Sequence, residues 1–93
     1  METLTGVQLI ERERREQMTR EQWSDVHDDT HRRGELARAA ACYALVDLPI
    51  KGRPRWPWSC DWWKPKSRLR NLIRAGALIA AEIDRLVRAG ERP

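Results

Sequence analysis

Two stretches of this chain hold residue types that could do chemistry. His27-Asp28-Asp29-Thr30-His31 sets two imidazoles and two carboxylates within five residues. Such groups can hold a divalent metal, hydrogen-bond a ligand, or cap and pack a turn. The tight spacing favours the structural role, in which Asp28 or Asp29 caps a helix start and the histidines pack as polar side chains. Ligand binding by His27, Asp28 and Asp29 ranks second and metal third, so no metal or cofactor is expected. The second stretch is basic and aromatic: Arg53-Pro54-Arg55-Trp56-Pro57-Trp58, then Trp62-Trp63-Lys64-Pro65-Lys66. Indole faces stack on bases and guanidinium planes, while Lys and Arg neutralise phosphates. On this reading Arg53, Arg55, Lys64 and Lys66 meet phosphates. Trp58, Trp62 or Tyr43 stacks on a base, and the His27–Asp29 cluster hydrogen-bonds ribose or base edges. The competing reading buries Trp56 and Trp63 in the core that two thin helices leave short, and Tyr43 alone reads more readily as core than as site.

The elements that would position these groups are helical. Residues 5–22 open with Thr5 and Gln8 at capping-box spacing, followed by a narrow apolar stripe of Val7, Ile10 and Met18 interrupted by Arg14 and Gln17. Glu11–Arg15 and Glu16–Arg20 stand at favourable i, i+4 spacing. So polar a helix belongs on the outside of the fold or in a polar interface. Residues 23–31 break the periodicity. A second helix over about 32–46 puts Leu36, Ala40, Tyr43 and Ala44 on one face, with Ala37, Ala39 and Ala41 permitting close approach. From 47 to 65 five prolines or glycines exclude a long helix, and four tryptophans in eight residues argue for an ordered, packed loop. The last helix, about 67–89, starts at the capping Ser67 and ends before Gly90 and Pro93. Its Leu69, Leu72, Ile73, Gly76, Ile79, Ala80, Ile83, Leu86 and Val87 recur at three- and four-residue spacing. The expected architecture is all-α: one domain over 1–93, three helices, and the Trp-rich loop folded over them.

Ninety-three residues bury only a modest core. Cys42 and Cys60 have no paired spacing and read as two reduced thiols. Oligomerisation through the final helix is therefore the expected way to bury more apolar surface. No stretch approaches the roughly 20 apolar residues of a membrane span. The charged start, with Glu11-Arg12-Glu13-Arg14-Arg15, argues against a signal peptide, which places the chain in the cytoplasm. Residues 1–47 carry seven Arg against ten Asp and Glu, a net of −3, whereas 48–93 carry eleven Lys and Arg against four acids, a net of +7. Clustered positive charge points to a phosphate-bearing or acidic partner, or to attraction between copies.

Two resemblances follow from residues already named. Glu13-x-x-Glu16 resembles half of the metal-binding pattern of MazG-like all-α nucleotide pyrophosphohydrolases, whose two acidic pairs hold magnesium against a nucleotide triphosphate. Here Glu82 and Glu35 are each followed three positions on by Arg85 and Arg38, so the second pair is missing and the clamp with it. A wider resemblance covers nearly the whole chain. Gly6-Val7-x-Leu9-Ile10-x-x-Glu13-Arg14-x-x-Gln17, Trp23, His27-Asp28-Asp29, Gly34-Glu35-Leu36-Ala37, Trp62-Trp63-Lys64-Pro65 and Arg74-Ala75-Gly76-Ala77-Leu78-Ile79 occur in an order similar to small uncharacterised proteins of tailed phages and prophages. That resemblance implies a phage accessory protein acting in the host cell against its defences. No self-sufficient catalytic motif is present. The expected function is non-catalytic binding of a phosphate-bearing small molecule, such as a nucleotide immune signal. The alternatives are an anti-CRISPR-like inhibitor of a host defence complex or a nucleic-acid binder, and last a degenerate pyrophosphohydrolase.

Overall fold

The computed structural model describes residues 3–20 and 23–93, and among them every regular element is helical. Helix α1 is Gly6–Arg20, α2 is the single turn Asp25–Asp28, α3 is Glu35–Leu45 and α4 is Arg68–Arg88. The three long helices match the expected ones to within about three residues, although positions 21 and 22, the expected end of the first, lie outside the described residues.

The caps explain the boundaries. Thr5 and Gln8 form the reciprocal box: the Thr5 amide donates to Gln8 Oε1 at 2.8 Å, and the Gln8 amide donates to Thr5 Oγ1 at 3.2 Å. Ser67 Oγ accepts from the Arg70 amide at 3.2 Å and starts α4. Gly90, at φ 100°, turns the chain out of α4 while the Glu91 amide bonds the Leu86 carbonyl at 3.0 Å. Gly34, at φ 79°, precedes α3 without any side-chain cap. The cap expected from Asp28 or Asp29 is thus not made. Ser24 caps the short α2 instead, accepting from the His27 amide at 3.1 Å.

Leu36, Ala39, Ala40 and Tyr43 of α3 close against Ala75, Leu78 and Ala81 of α4 to form the core. Alanines on both surfaces let the two helices approach closely. The loop over 47–65 is ordered; Trp56 and Trp63 pack on this core as the second reading held, and Trp58, expected as a stacking residue, packs beside them. Two buried polar side chains latch it. Tyr43 Oη accepts from the Lys64 amide at 3.3 Å, while Asn71 exchanges bonds with Lys66, accepting from its amide at 2.7 Å and donating to its carbonyl at 3.0 Å. Arg68 Nη1 donates to the Ala44 carbonyl at 2.8 Å and satisfies an orphan acceptor at the end of α3.

Helix α1 forms the polar interface expected of it, with its buried side rotated away from Val7 and Met18 towards Glu13. Glu13, Arg14 and Gln17 are buried, whereas Val7 and Met18 of the apolar stripe are exposed. The reason is electrostatic: α4 and α2 offer opposite charges to the polar side of α1. Arg70 Nη2 lies 2.6 Å from Glu13 Oε1, a charge contact without hydrogen-bond alignment. Arg14 Nη2 donates to Asp28 Oδ2 at 2.9 Å. Ile10 alone of the stripe reaches α4, where it covers Gly76 so closely that a Cβ there would collide with its Cδ1.

Candidate functional site

Seven aromatic rings form one connected cluster along the side of the core. It runs from His27 to His31 at 5.0 Å, His31 to Trp58 at 5.0 Å, and Trp58 to Trp56 at 5.3 Å. Trp56 then meets Trp63 at 4.9 Å, and Trp63 meets Tyr43 at 4.7 Å, with Trp23 set against Trp58 at 6.5 Å. These tilted and edge-to-face arrangements suit the ring quadrupoles. Tyr43, at 2% exposure, is wedged within the cluster and bonded through its hydroxyl. It is core and offers no face for a base, which corrects its candidacy as a stacking residue.

At the His27 end the cluster opens into a cavity of about 370 Å³, lined by Trp23, His27, Asp28, His31, Leu36, Trp58, Ser59 and Trp62. That volume is in the range of small-molecule sites. Ser59 Oγ accepts from the Asp61 amide and starts the 3-10 turn Cys60–Trp62, which carries Trp62 to the rim at 59% exposure. Leu36 reaches the cavity from the first turn of α3. Sequence reasoning marked Trp58, Trp62, His27 and Asp28, and the fold brings all four to one cavity. It named His31 in the cluster but left it out of the ligand set, and it missed Trp23 and Ser59, although the lone tryptophan just ahead of the His-Asp cluster was the available signal.

The charged groups of the cluster have structural partners. Asp28, 1% exposed, is fixed by Arg14. Asp29 Oδ1 accepts from Arg88 Nη2 at 2.8 Å. Burial pushes the His31 imidazole below its ordinary pKa, helped by the neighbouring His27 and opposed by Glu35 and Asp28. A neutral imidazole has one donor and one acceptor nitrogen, suited to a heterocycle edge. Among the described residues, no group of three or more His, Cys, Asp or Glu side chains is arranged to hold a metal.

The basic residues of the loop are not brought together. Arg53 donates through Nη2 to the Leu48 carbonyl and lines a separate cavity of about 190 Å³ with Cys42, Trp56 and Trp63. Lys64 Nζ stands 5.9 Å from the Trp62 ring, at the rim of the aromatic cavity. Arg55 and Lys66 are exposed and line none of these cavities. Cys42 and Cys60 are free thiols, and burial pushes that of Cys42 up. The acidic pair Glu13 and Glu16 is engaged by guanidinium groups: Arg70 and Arg74 lie 2.6 and 3.8 Å from Glu13, and Arg20 lies 2.7 Å from Glu16.

Compared with protein-family models, curated proteins and solved structures, the chain matches none of them.

Proposed function

We propose that this chain binds a phosphate-bearing small molecule with a planar, nucleobase-like ring, and does so without catalysis. The aromatic cavity is the observation that carries the reading. Trp58 and Trp62 supply indole faces, and stacking on such a face contributes roughly 1–3 kcal/mol per base. The histidines supply the few convergent polar groups that orient a ligand in an otherwise apolar site. Non-catalysis is supported by the carboxylates of Glu13 and Glu16, which face arginines where a magnesium clamp would need open oxygens. Within the phage setting that the motif order resembles, sequestering a nucleotide immune signal fits a small non-catalytic binder.

The chain is also proposed to self-associate. Leu69, Leu72, Gly76, Ile79, Ile83 and Leu86 repeat at alternating three- and four-residue intervals over three heptads, the pattern of a helix seam. Leu69 is 62% exposed and Ile83 54%, and Leu72 and Ile79 are exposed with them, while Gly76 between them lies under Ile10 of α1. No charged residue interrupts it, and an isologous contact between two copies would cover it. Among the described residues, no helix is long and apolar enough to cross a membrane.

Titration of a panel of linear and cyclic nucleotides against intrinsic Trp fluorescence tests the binding reading. Saturable quenching with fixed stoichiometry per subunit is expected. Trp62→Ala should weaken binding about 10- to 100-fold with little change in melting temperature, because the side chain stands at the rim. A panel that gives neither quenching nor heat would sink this reading and favour a protein partner, for which pull-down with host defence complexes is the assay.

A further inference from the structure

We propose that Arg32, Arg85 and Arg88 form the phosphate subsite for the ligand whose ring occupies the aromatic cavity. The inference rests on the reading of that cavity given above, and it moves the phosphates away from the basic loop. A second cavity of about 400 Å³ is lined by Asp29, Arg32, Arg85, Arg88 and Ala89. His27, Asp28 and His31 line the first cavity while Asp29 and Arg32 line the second, so one six-residue segment contributes to both. Consecutive residues are about 3.8 Å apart at Cα, so the linings of the two cavities adjoin along this segment.

Arg32 and Arg85 are each held at Nε alone, whereas Arg88 is engaged at both terminal nitrogens. Arg88 is fixed by Asp29 at 2.8 Å and Asp25 at 3.3 Å, Arg85 Nε by Glu82 at 2.6 Å, and Arg32 Nε by the Asp29 carbonyl at 3.2 Å. Among the described residues, the terminal nitrogens of Arg32 and Arg85 carry no hydrogen bond, which leaves a fork of donors for an oxyanion. The lining sets three guanidiniums against the one carboxylate of Asp29, with Glu82 and Asp25 standing outside it against Arg85 and Arg88. Arginines in the last turn also stabilise the negative end of a helix dipole. That accounts for Arg85 and Arg88 on α4 but not for Arg32, which comes from the facing turn. Lys64, against the Trp62 ring, is the competing cation.

The four ribonucleosides and their 5′-monophosphates, titrated by fluorescence at low salt, test the proposal. In the wild-type protein the monophosphate should bind at least about tenfold more tightly than its nucleoside, the expectation for a charge-assisted hydrogen bond. Arg32→Ala and, separately, Arg85→Gln should shrink that ratio towards one, with circular dichroism confirming the helices. A ratio that survives both changes but collapses in Lys64→Ala would overturn the subsite. Nucleosides that fail to bind at all would instead overturn the reading of the aromatic cavity, and inorganic pyrophosphate then decides the subsite alone. Pyrophosphate binding that depends on Arg32 supports it; no binding in the wild-type protein overturns it.

Discussion

Towards α3, helix α4 presents Ala75, Leu78 and Ala81; towards α1 and α2 it presents Arg70, Arg74, Asp84 and Arg88. The first interface is close-packed and apolar. The second is a set of ion pairs around buried Glu13, Arg14 and Asp28, with Gln17 Nε2 donating to Glu13 Oε2 at 3.1 Å. Arg14 Nε and Nη1 and Gln17 Oε1 have no hydrogen-bond partner among the described residues. The two interfaces differ in tolerance. Apolar packing at alanine distance has no substitute, whereas a buried ion pair can be exchanged for apolar side chains if both members go together.

The largest expected effect follows from breaking the ion pairs. Arg14→Leu leaves Asp28 buried without its cation, and should cost about 3–5 kcal/mol in urea unfolding. Asp25 and Asp84, also within 4.0 Å of Arg14 but more than half exposed, can be rehydrated and add little. Pairing Arg14→Leu with Asp28→Leu should recover most of the loss. If the double variant is as unstable as the single one, the polar interface is as exacting as the apolar one and the comparison fails.

Next comes Leu78→Ala on the α3 side. Leu78 is fully buried, so the change removes transfer free energy and leaves a cavity, about 2–5 kcal/mol together. No partner substitution in α3 is expected to restore it fully.

On the third side of α4, Ile83→Glu separates folding from assembly. Because Ile83 faces solvent in the single chain, the monomer should keep its stability to within about 0.5 kcal/mol. Light scattering at micromolar concentration should show the wild-type protein as a dimer or larger and the variant as a monomer. A wild-type protein that is monomeric throughout would remove the proposed seam.

The smallest effect concerns pH. The fold lowers the pKa of His31, so the unfolded chain takes up the proton first as pH falls below the ordinary histidine value of about 6.5. Stability from neutral His31 is present above that value and is lost as pH drops through the lowered one. His31→Gln should flatten this part of the stability profile between pH 7.5 and 5. A profile unchanged by the substitution would place the pH dependence elsewhere.

Much of this molecule was legible in local chemistry. Thr5 with Gln8, Ser67, and Gly90 mark helix ends through bonds made within a few residues, so they read directly from spacing. Leu36, Ala40 and Tyr43 share a face by helical period alone. The clustering of tryptophans in the 47–65 loop implied order, because so much apolar surface does not stay in water. What tertiary structure decided was which face of each helix turns inward. The apolar row of α4 repeats at helical spacing, yet its alanine side packs against α3 and much of the row remains outside. The polar side of α1 went in because Arg70, Arg74 and Asp28 arrive from distant positions to neutralise it. Tertiary packing also separated the candidate site residues, drawing Tyr43 inward, scattering the loop cations and setting His31 and Trp23 beside Trp58. Periodicity fixes angles around one helix axis; only the charges and volumes of the neighbours choose which of those angles is buried.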